Sequence, residues 1–125
     1  MTTGASDPYR SPAVLLREML DCMRLIQRYL QGQSEADFRQ DQEKQDAVAR
    51  RLEILGEAAQ QLPAEWKAQH TGAPWRVIAD MRNRLIHGYF SVDVGIVWRT
   101  VTQDLAPVEQ ELRRILALEY PDSQP

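Results

Sequence analysis

Apolar side chains recur at every third or fourth position in four stretches of the chain, which is the spacing of one face of an α-helix. These stretches cover residues 16–30, 48–62, 75–85 and 94–115. Nowhere do apolar and polar residues alternate over a run long enough to predict a sheet. The pattern therefore predicts an all-α fold, an antiparallel bundle of four main helices with one or two further helical turns over residues 64–70.

Local signals predict where these helices begin and end. Ser11 is an N-cap residue followed by proline at the first helical position, and Ser34 is a second start signal. Gly32 and Pro63 are expected to end the first two helices. Pro107 lies inside the fourth apolar stretch, and its ring would collide with the carbonyl four residues earlier. We therefore expect a kink in the last helix.

The composition is that of one ordinary globular domain. Hydrophobic residues make up 43% of the 125 positions, which is enough for a small core, so we expect a domain over residues 11–119 between mobile tails at 1–10 and 120–125. The single cysteine, Cys22, excludes an internal disulfide and is expected to be a small buried hydrophobe. Two histidines are too few for a closed zinc site. No membrane-length apolar run or signal peptide is evident, so we expect a cytoplasmic protein without a membrane partner, metal or cofactor.

The charge distribution points to a local rather than a general anion-binding surface. The formal net charge is −3, which argues against a protein that coats nucleic acid, and no DNA partner is expected. Residues 75–100 nevertheless carry a net charge of +2, because they hold four arginines and two aspartates: Arg76, Arg82, Arg84, Arg99, Asp80 and Asp93. Arg82 belongs to the motif described next, and Arg76, Arg84 and Arg99 are candidate RNA-binding residues. Solvated surface positions are the commonplace alternative for these three.

The candidate chemistry lies at the end of the third helix, which is expected to close near glycine 88. Arg82, Asn83, His87 and Tyr89 fall within eight positions there. At about 100° per residue, Asn83 and His87 share a helix face, so the amide could orient the imidazole. Arg82 and His87, five positions apart, are about 140° apart around the axis. Both could reach one phosphate only if the helix loosens or if a second copy supplies the missing half in a two-fold dimer.

Arginine and histidine together suit the cleavage of RNA without a metal ion. Histidine, with an ordinary pKa of about 6.5, can serve as base for the 2′-hydroxyl and as acid for the leaving 5′-oxygen. Two His87 side chains across a dimer axis could divide these roles, while Arg82 holds the phosphate bidentately and stabilises its charge.

Residues in and near this motif could instead have structural roles. His87 could cap helix carbonyls. Aromatic residues near the motif are more typical of a core or an interface than of base stacking, namely Tyr89, Phe90 and Trp98. His70, beside a loop, is expected to be an exposed polar residue.

The run from Arg82 to Tyr89 resembles the signature of the HEPN superfamily, in which arginine, a polar residue, three further positions, histidine, one residue and tyrosine follow one another. More narrowly, the chain resembles the HepT-like toxins of HepT–MntA toxin–antitoxin systems. The segment Arg51–Ala59 with Leu62 and Pro63 is similar to a second block of that family, and the likeness extends from about Leu15 to Leu118.

The resemblance implies a four- to five-helix, homodimeric HEPN-like fold and a metal-independent endoribonuclease that acts as a toxin on an RNA substrate. It implies that Arg82 and His87 are the catalytic pair and that Asn83 supports them. It also implies that an MntA-like nucleotidyltransferase antitoxin silences the protein by adenylylating Tyr89, with assembly beyond a dimer left open.

Two other hypotheses remain at this point. The chain could be a noncatalytic helical module in which the same arginines bind the phosphate of a nucleotide, or which binds a nucleotidyltransferase subunit. The motif could also be only a dimerisation surface.

Overall fold

The computed structural model describes residues 10–87 and 93–123, and within these ranges every regular element is helical. The α-helices are α1 Pro12–Tyr29, α2 Glu35–Arg39, α3 Gln42–Gln61, α4 Ala64–Ala68, α5 Trp75–His87, α6 Val94–Arg99 and α7 Leu105–Glu119. A π-helical turn, Thr100–Asp104, joins α6 to α7, and a 3₁₀ turn follows at Pro121–Ser123. The all-α prediction is confirmed. No helix in the described ranges combines the length and apolarity needed to span a membrane.

Helix α1 begins and ends where the sequence predicts. The Ser11 hydroxyl accepts a hydrogen bond from the Val14 amide at 3.4 Å, and Pro12 occupies the first helical position. The chain leaves the helix through Gly32, whose φ of +78° is accessible to glycine at little cost. The apolar stripe of α1 is buried, including Cys22, so the prediction for the cysteine is confirmed. Burial raises the pKa of the Cys22 thiol.

The second start signal opens a short helix that stops before α3. Ser34 and Asp37 form a capping box, in which each side chain accepts a hydrogen bond from the other residue's backbone amide. After the five residues of α2, Asp41 caps α3 by accepting from the Lys44 amide at 3.0 Å. Phe38, on α2, is fully buried and anchors this short helix to the core.

The last helical segment is irregular just before Pro107. Pro107 lies in the first turn of α7, and the π-helical turn Thr100–Asp104 comes directly before it. A π-helical turn widens the backbone by one residue, which accommodates a proline that lacks an amide hydrogen and crowds the preceding turn. The expected irregularity is therefore present, but it lies upstream of the proline.

The core is formed where α1, α3 and α7 meet, and α5 packs chiefly against α3. Trp98 of α6 is half-buried and its ring lies 5.5 Å from that of Phe38, as expected for a core aromatic. The position of α5, which carries the candidate motif, is therefore set chiefly by its contact with α3.

The expectation that His70 is exposed is wrong. Its relative accessibility is 9%, and its ring stacks on Trp66 at 3.8 Å. Nδ1 lies 2.7 Å from the Trp66 carbonyl oxygen, and Nε2 lies 2.7 Å from a carboxylate oxygen of Glu119. The partners come from α4 and from the far end of α7, so the residues beside His70 in the sequence do not reveal its burial.

Candidate active site

Helix α5 runs without interruption from Trp75 to His87, so the motif positions keep regular helical angles. Ile78 and Leu85 are buried and define the core-facing side of the helix. Position 87, nine residues after Ile78, lies about half a turn from that side, whereas Arg82 lies on the flank next to α3. In one copy of the chain, positions 82 and 87 are therefore about 140° apart around the helix axis, as expected.

Arg82 is half-buried and only lightly bonded. Its Nε is buried and has no hydrogen-bond partner among the residues that the structure describes. Its Nη1 donates to the Asn83 side-chain oxygen at 3.4 Å, which is a long hydrogen bond. Arg82 forms no ion pair with any acidic residue in the described ranges. A charged guanidinium that no carboxylate in the described ranges neutralises is chemically suited to bind an anionic ligand through its Nη groups.

The stem of Arg82 lies against Gly56 of α3. A Cβ atom built on Gly56 would overlap with Cβ of Arg82 and would lie 2.8 Å from its Cγ. The two helices thus approach each other closely at this point, and the arginine stem lies against the α3 backbone where Gly56 has no side chain.

Asn83 is exposed, and its side-chain oxygen accepts the bond from Arg82. The His87 side chain lies outside the described residues, as does the whole of Tyr89 and Phe90, and so does the predicted end of the helix near glycine 88. The pairing of Asn83 with His87 therefore stays a prediction. The hydrogen bond that the structure gives the Asn83 side chain is the long one from Arg82, whereas helical spacing had suggested a contact with His87.

Arg76, Arg84 and Arg99 are all exposed, and none of them pairs with an acidic residue in the described part of the chain. Arg76 and Asn83, seven positions apart, lie on the same face of α5 as position 87. The solvent-facing side of α5 thus carries Arg76 and Arg84 together with one exposed carboxylate, Asp80, and its net charge is positive. No group of three or more potential metal ligands occurs among the residues that the structure describes.

The sequence model of a family described as "Ribonuclease HepT-like" matches residues 19–115, which include Arg82, Asn83 and His87. The chain belongs to the HepT-like ribonuclease family. This family is part of the HEPN superfamily, so the predicted resemblance is confirmed.

Individual relatives of this HepT-like chain carry matching names. It is 37% identical over 106 residues to "Probable ribonuclease HepT" of Thermococcus cleftensis, covering 85% of this chain and 96% of that protein. It is 39% identical over 111 residues to "Putative RNase TTE0752" of Caldanaerobacter subterraneus subsp. tengcongensis, covering 88% and 98%. "Gamma-glutamylcyclotransferase and putative RNase MJ0434" of Methanocaldococcus jannaschii is 38% identical over 103 residues; the match covers 82% of this chain but only 46% of that longer protein. No solved structure shows a significant match.

An apolar cavity of about 420 Å³ lies on the other flank of α5 in this HepT-like chain. It opens between α5 and the π-helical turn, and Val77, whose relative accessibility is 53%, lies at its edge. The remaining lining includes Ile78 and Met81 of α5 and Gln103 and Asp104 of the π-helical turn. The sequence pattern did not indicate this cavity, because it depends on how the irregular turn before α7 is placed against α5.

Proposed function

We propose that this HepT-like protein is the toxin of a toxin–antitoxin pair and acts as a metal-independent endoribonuclease. Arg82 binds and stabilises the phosphate, and His87 transfers protons. The observation that carries the proposal is the state of the Arg82 guanidinium, which forms no ion pair with a carboxylate in the described ranges. Its Nε is buried, so a phosphate oxygen would accept hydrogen bonds from the Nη end of the group.

The reaction follows from the chemistry of arginine and histidine. One imidazole removes the proton of the ribose 2′-hydroxyl, and the 2′-oxygen attacks the adjacent phosphorus. The bond to the 5′-oxygen breaks, and a second, protonated imidazole gives its proton to that leaving oxygen. The products are a 2′,3′-cyclic phosphate and a 5′-hydroxyl, and Arg82 stabilises the extra negative charge on the phosphorane.

We infer that the site is completed by a second copy of the chain. Positions 82 and 87 diverge by about 140° on an uninterrupted helix, so one copy does not direct both toward one phosphate. A two-fold dimer that brings two α5 helices together would supply both residue types and two imidazoles to a shared cleft. The apolar cavity beside Val77 offers α5 a surface that a second copy could cover.

The exposed arginines extend the phosphate-binding surface beyond the cleavage site. Arg76, Arg84 and Arg99 would contact the RNA backbone without reading its sequence, because unpaired surface guanidinium groups bind phosphates through charge. Each contact releases counterions from the RNA, so we expect cleavage to weaken as salt concentration rises.

The proposal that an antitoxin neutralises this protein rests on the family resemblance and on the position of Tyr89. Tyr89 lies two residues after His87, and attack of its phenol oxygen on the α-phosphate of ATP would release pyrophosphate and leave AMP on the tyrosine. The added phosphate brings negative charge and bulk next to the arginines that are to hold RNA. Incubation with ATP and an MntA-like nucleotidyltransferase should add mass in AMP steps, and Tyr89→Phe should accept none. Labelling of another residue would refute this assignment.

The decisive experiment measures RNA cleavage in EDTA by wild-type protein, Arg82→Ala and His87→Ala. Each substitution should lower kcat/KM at least about 100-fold with helical circular dichroism intact. Arg24→Ala is the matched control, because it removes the same charge from an exposed position on α1, where the arginine makes only a 3.5 Å contact with Asp21. Wild-type cleavage by His87→Ala would exclude the mechanism.

The same free guanidinium would serve a noncatalytic module that binds nucleotide. Calorimetry with ATP beside the cleavage assay separates the two functions, since binding by Arg82 without any RNA cleavage would favour the module. If the motif were only a dimerisation surface, Arg82→Ala would weaken the dimer and leave ligand binding unchanged.

A further inference from the structure

Gly56 occupies an unexpected place for glycine, the interior of the twenty-residue helix α3. Glycine at an interior helix position destabilises the helix by about 1 kcal/mol relative to alanine. Its backbone is not in the left-handed region, because the only glycine with positive φ in the described ranges is Gly32. The reason for glycine at position 56 is therefore the space that a side chain would fill.

That space is occupied by the stem of Arg82. A Cβ at position 56 would overlap with Cβ of Arg82 and come within 2.8 Å of Cγ. The Cβ of Arg82 is fixed by the α5 backbone and cannot swing away as the end of a long side chain can, and Cγ moves only if χ1 changes. Any larger residue at position 56 must push α5 away from α3 or force the arginine into another rotamer.

Gly95, in α6, differs from Gly56 in the kind of atom that an added Cβ would meet. A Cβ at Gly95 would meet Nη2 of Arg39 at 2.6 Å and Oδ1 of Asp93 at 3.1 Å, and both atoms are the ends of exposed side chains. Arg39 can move by giving up an exposed ion pair with Glu35, which costs about 0.5 kcal/mol, whereas the Cβ of Arg82 cannot move without its backbone. Of these two helical glycines, only Gly56 constrains the candidate catalytic arginine.

We propose that Gly56 is a positioning residue for Arg82. The absence of a side chain lets the arginine stem cross α3 in contact with the backbone, which buries Nε and sets the direction in which the guanidinium leaves the helix pair. Asn83 then restrains the far end through its bond to Nη1. This inference rests on the proposed function, because it assigns Gly56 to the same phosphate-binding site.

The test compares Gly56→Ala with Gly95→Ala in the full-length protein. We expect Gly56→Ala to lower kcat for RNA cleavage at least about tenfold, since displacement of a catalytic group by about 1 Å can cost up to 100-fold, while KM changes much less. Gly95→Ala should stay within about twofold of wild type. Wild-type kcat in folded Gly56→Ala protein would overturn the inference.

A second readout does not depend on activity. The Nε–H resonance of Arg82, assigned by its loss in Arg82→Lys, should be protected from solvent exchange in wild-type protein and in Gly95→Ala. It should shift and exchange faster in Gly56→Ala. An unchanged resonance would overturn the positioning role even if the melting temperature fell, because helix packing alone would then explain the glycine.

The outcomes separate this inference from the proposed function. If Arg82→Ala abolishes cleavage and Gly56→Ala does not lower it, Gly56 is no positioning residue and the ribonuclease proposal stands. If Arg82→Ala leaves cleavage intact, the ribonuclease proposal fails, and the Nε–H resonance alone decides whether Gly56 sets the position of Arg82.

A double variant covers the case in which Gly56→Ala does not fold. Removing the opposing Cβ in Gly56→Ala/Arg82→Gly relieves the overlap. Recovery of folding in that protein supports the contact as the reason for glycine at position 56, and absence of recovery overturns it.

Discussion

At the residue scale, His70 is the side chain whose environment differs most from its local sequence. Both ring nitrogens face oxygen acceptors, the Trp66 carbonyl and the Glu119 carboxylate, each at 2.7 Å. Trp75 also donates its indole N–H to the His70 carbonyl at 2.9 Å. The residue thus links α4, the start of α5 and the end of α7.

Replacing His70 with alanine should lower the free energy of unfolding by about 2 kcal/mol, because two hydrogen bonds and a stacked, buried ring are lost together. Urea denaturation followed by circular dichroism measures the change. Gln69→Ala, at the exposed neighbouring position, should change stability by less than about 0.5 kcal/mol. Equal effects of the two substitutions would show that the cluster around His70 contributes nothing.

Glu111, another single residue, contributes to folding stability in a way that depends on pH. Hydrogen bonds from Arg114 at 2.7 and 2.9 Å, with a smaller contribution from the charge of His70, lower the pKa of this carboxyl below its ordinary 4.5. A lowered folded-state pKa stabilises the fold above the unfolded-state value, and the effect disappears as pH falls through the folded-state pKa. The stability difference between wild type and Glu111→Gln should therefore be larger at about pH 6 than at about pH 3. An identical difference at both pH values would contradict this assignment.

At the scale of the elements, the start of α3 depends on one cap. The Asp41 carboxylate accepts a 3.0 Å hydrogen bond from the Lys44 amide, which also lowers the pKa of Asp41. Asp41→Ala should lower the urea midpoint of the whole protein, because α3 contacts α1, α2 and α5. Ser34→Ala should have a smaller effect, since it uncaps only the five residues of α2. A larger effect from Ser34→Ala would show that α2 matters more for the fold than α3 does.

The helices could be predicted from sequence wherever their signals are local. The stripes of α1 and α3 and the caps at Ser11 and Ser34 depend only on residues a few positions apart, and the structure confirms them. The π-helical turn could not be placed, because proline predicts an irregularity without fixing which turn absorbs it.

The candidate site could likewise be predicted only where its signal is local. Helical spacing alone predicts that positions 82 and 87 lie on different sides of α5. The contact between Gly56 and Arg82 joins residues 26 positions apart in the chain, and no local pattern reveals it.

At the scale of the whole molecule, helix α5 has three sides, and each has different surroundings. One packs on α3 and holds Arg82, a second faces solvent with Arg76 and Asn83, and the third borders the apolar cavity near Val77. If a second copy completes the site, the apolar side is the part of α5 with surface left to bury. Dimer formation and cleavage should then be lost together when that side is made charged.

Val77→Glu is the substitution that tests this coupling, because it places a carboxylate at the mouth of the cavity without altering Arg82 or His87. We expect light scattering to report a monomer and cleavage to fall at least about tenfold, as each copy would lack its partner's half of the site. Leu118→Glu is the matched control, since Leu118 is the other large apolar residue that the described ranges expose, at 68% relative accessibility, and it lies on α7. It should leave both assembly and cleavage unchanged. A Val77→Glu monomer with full activity would mean that one copy carries a complete site, in which case α5 must loosen near its end to bring Arg82 and His87 to the same phosphate.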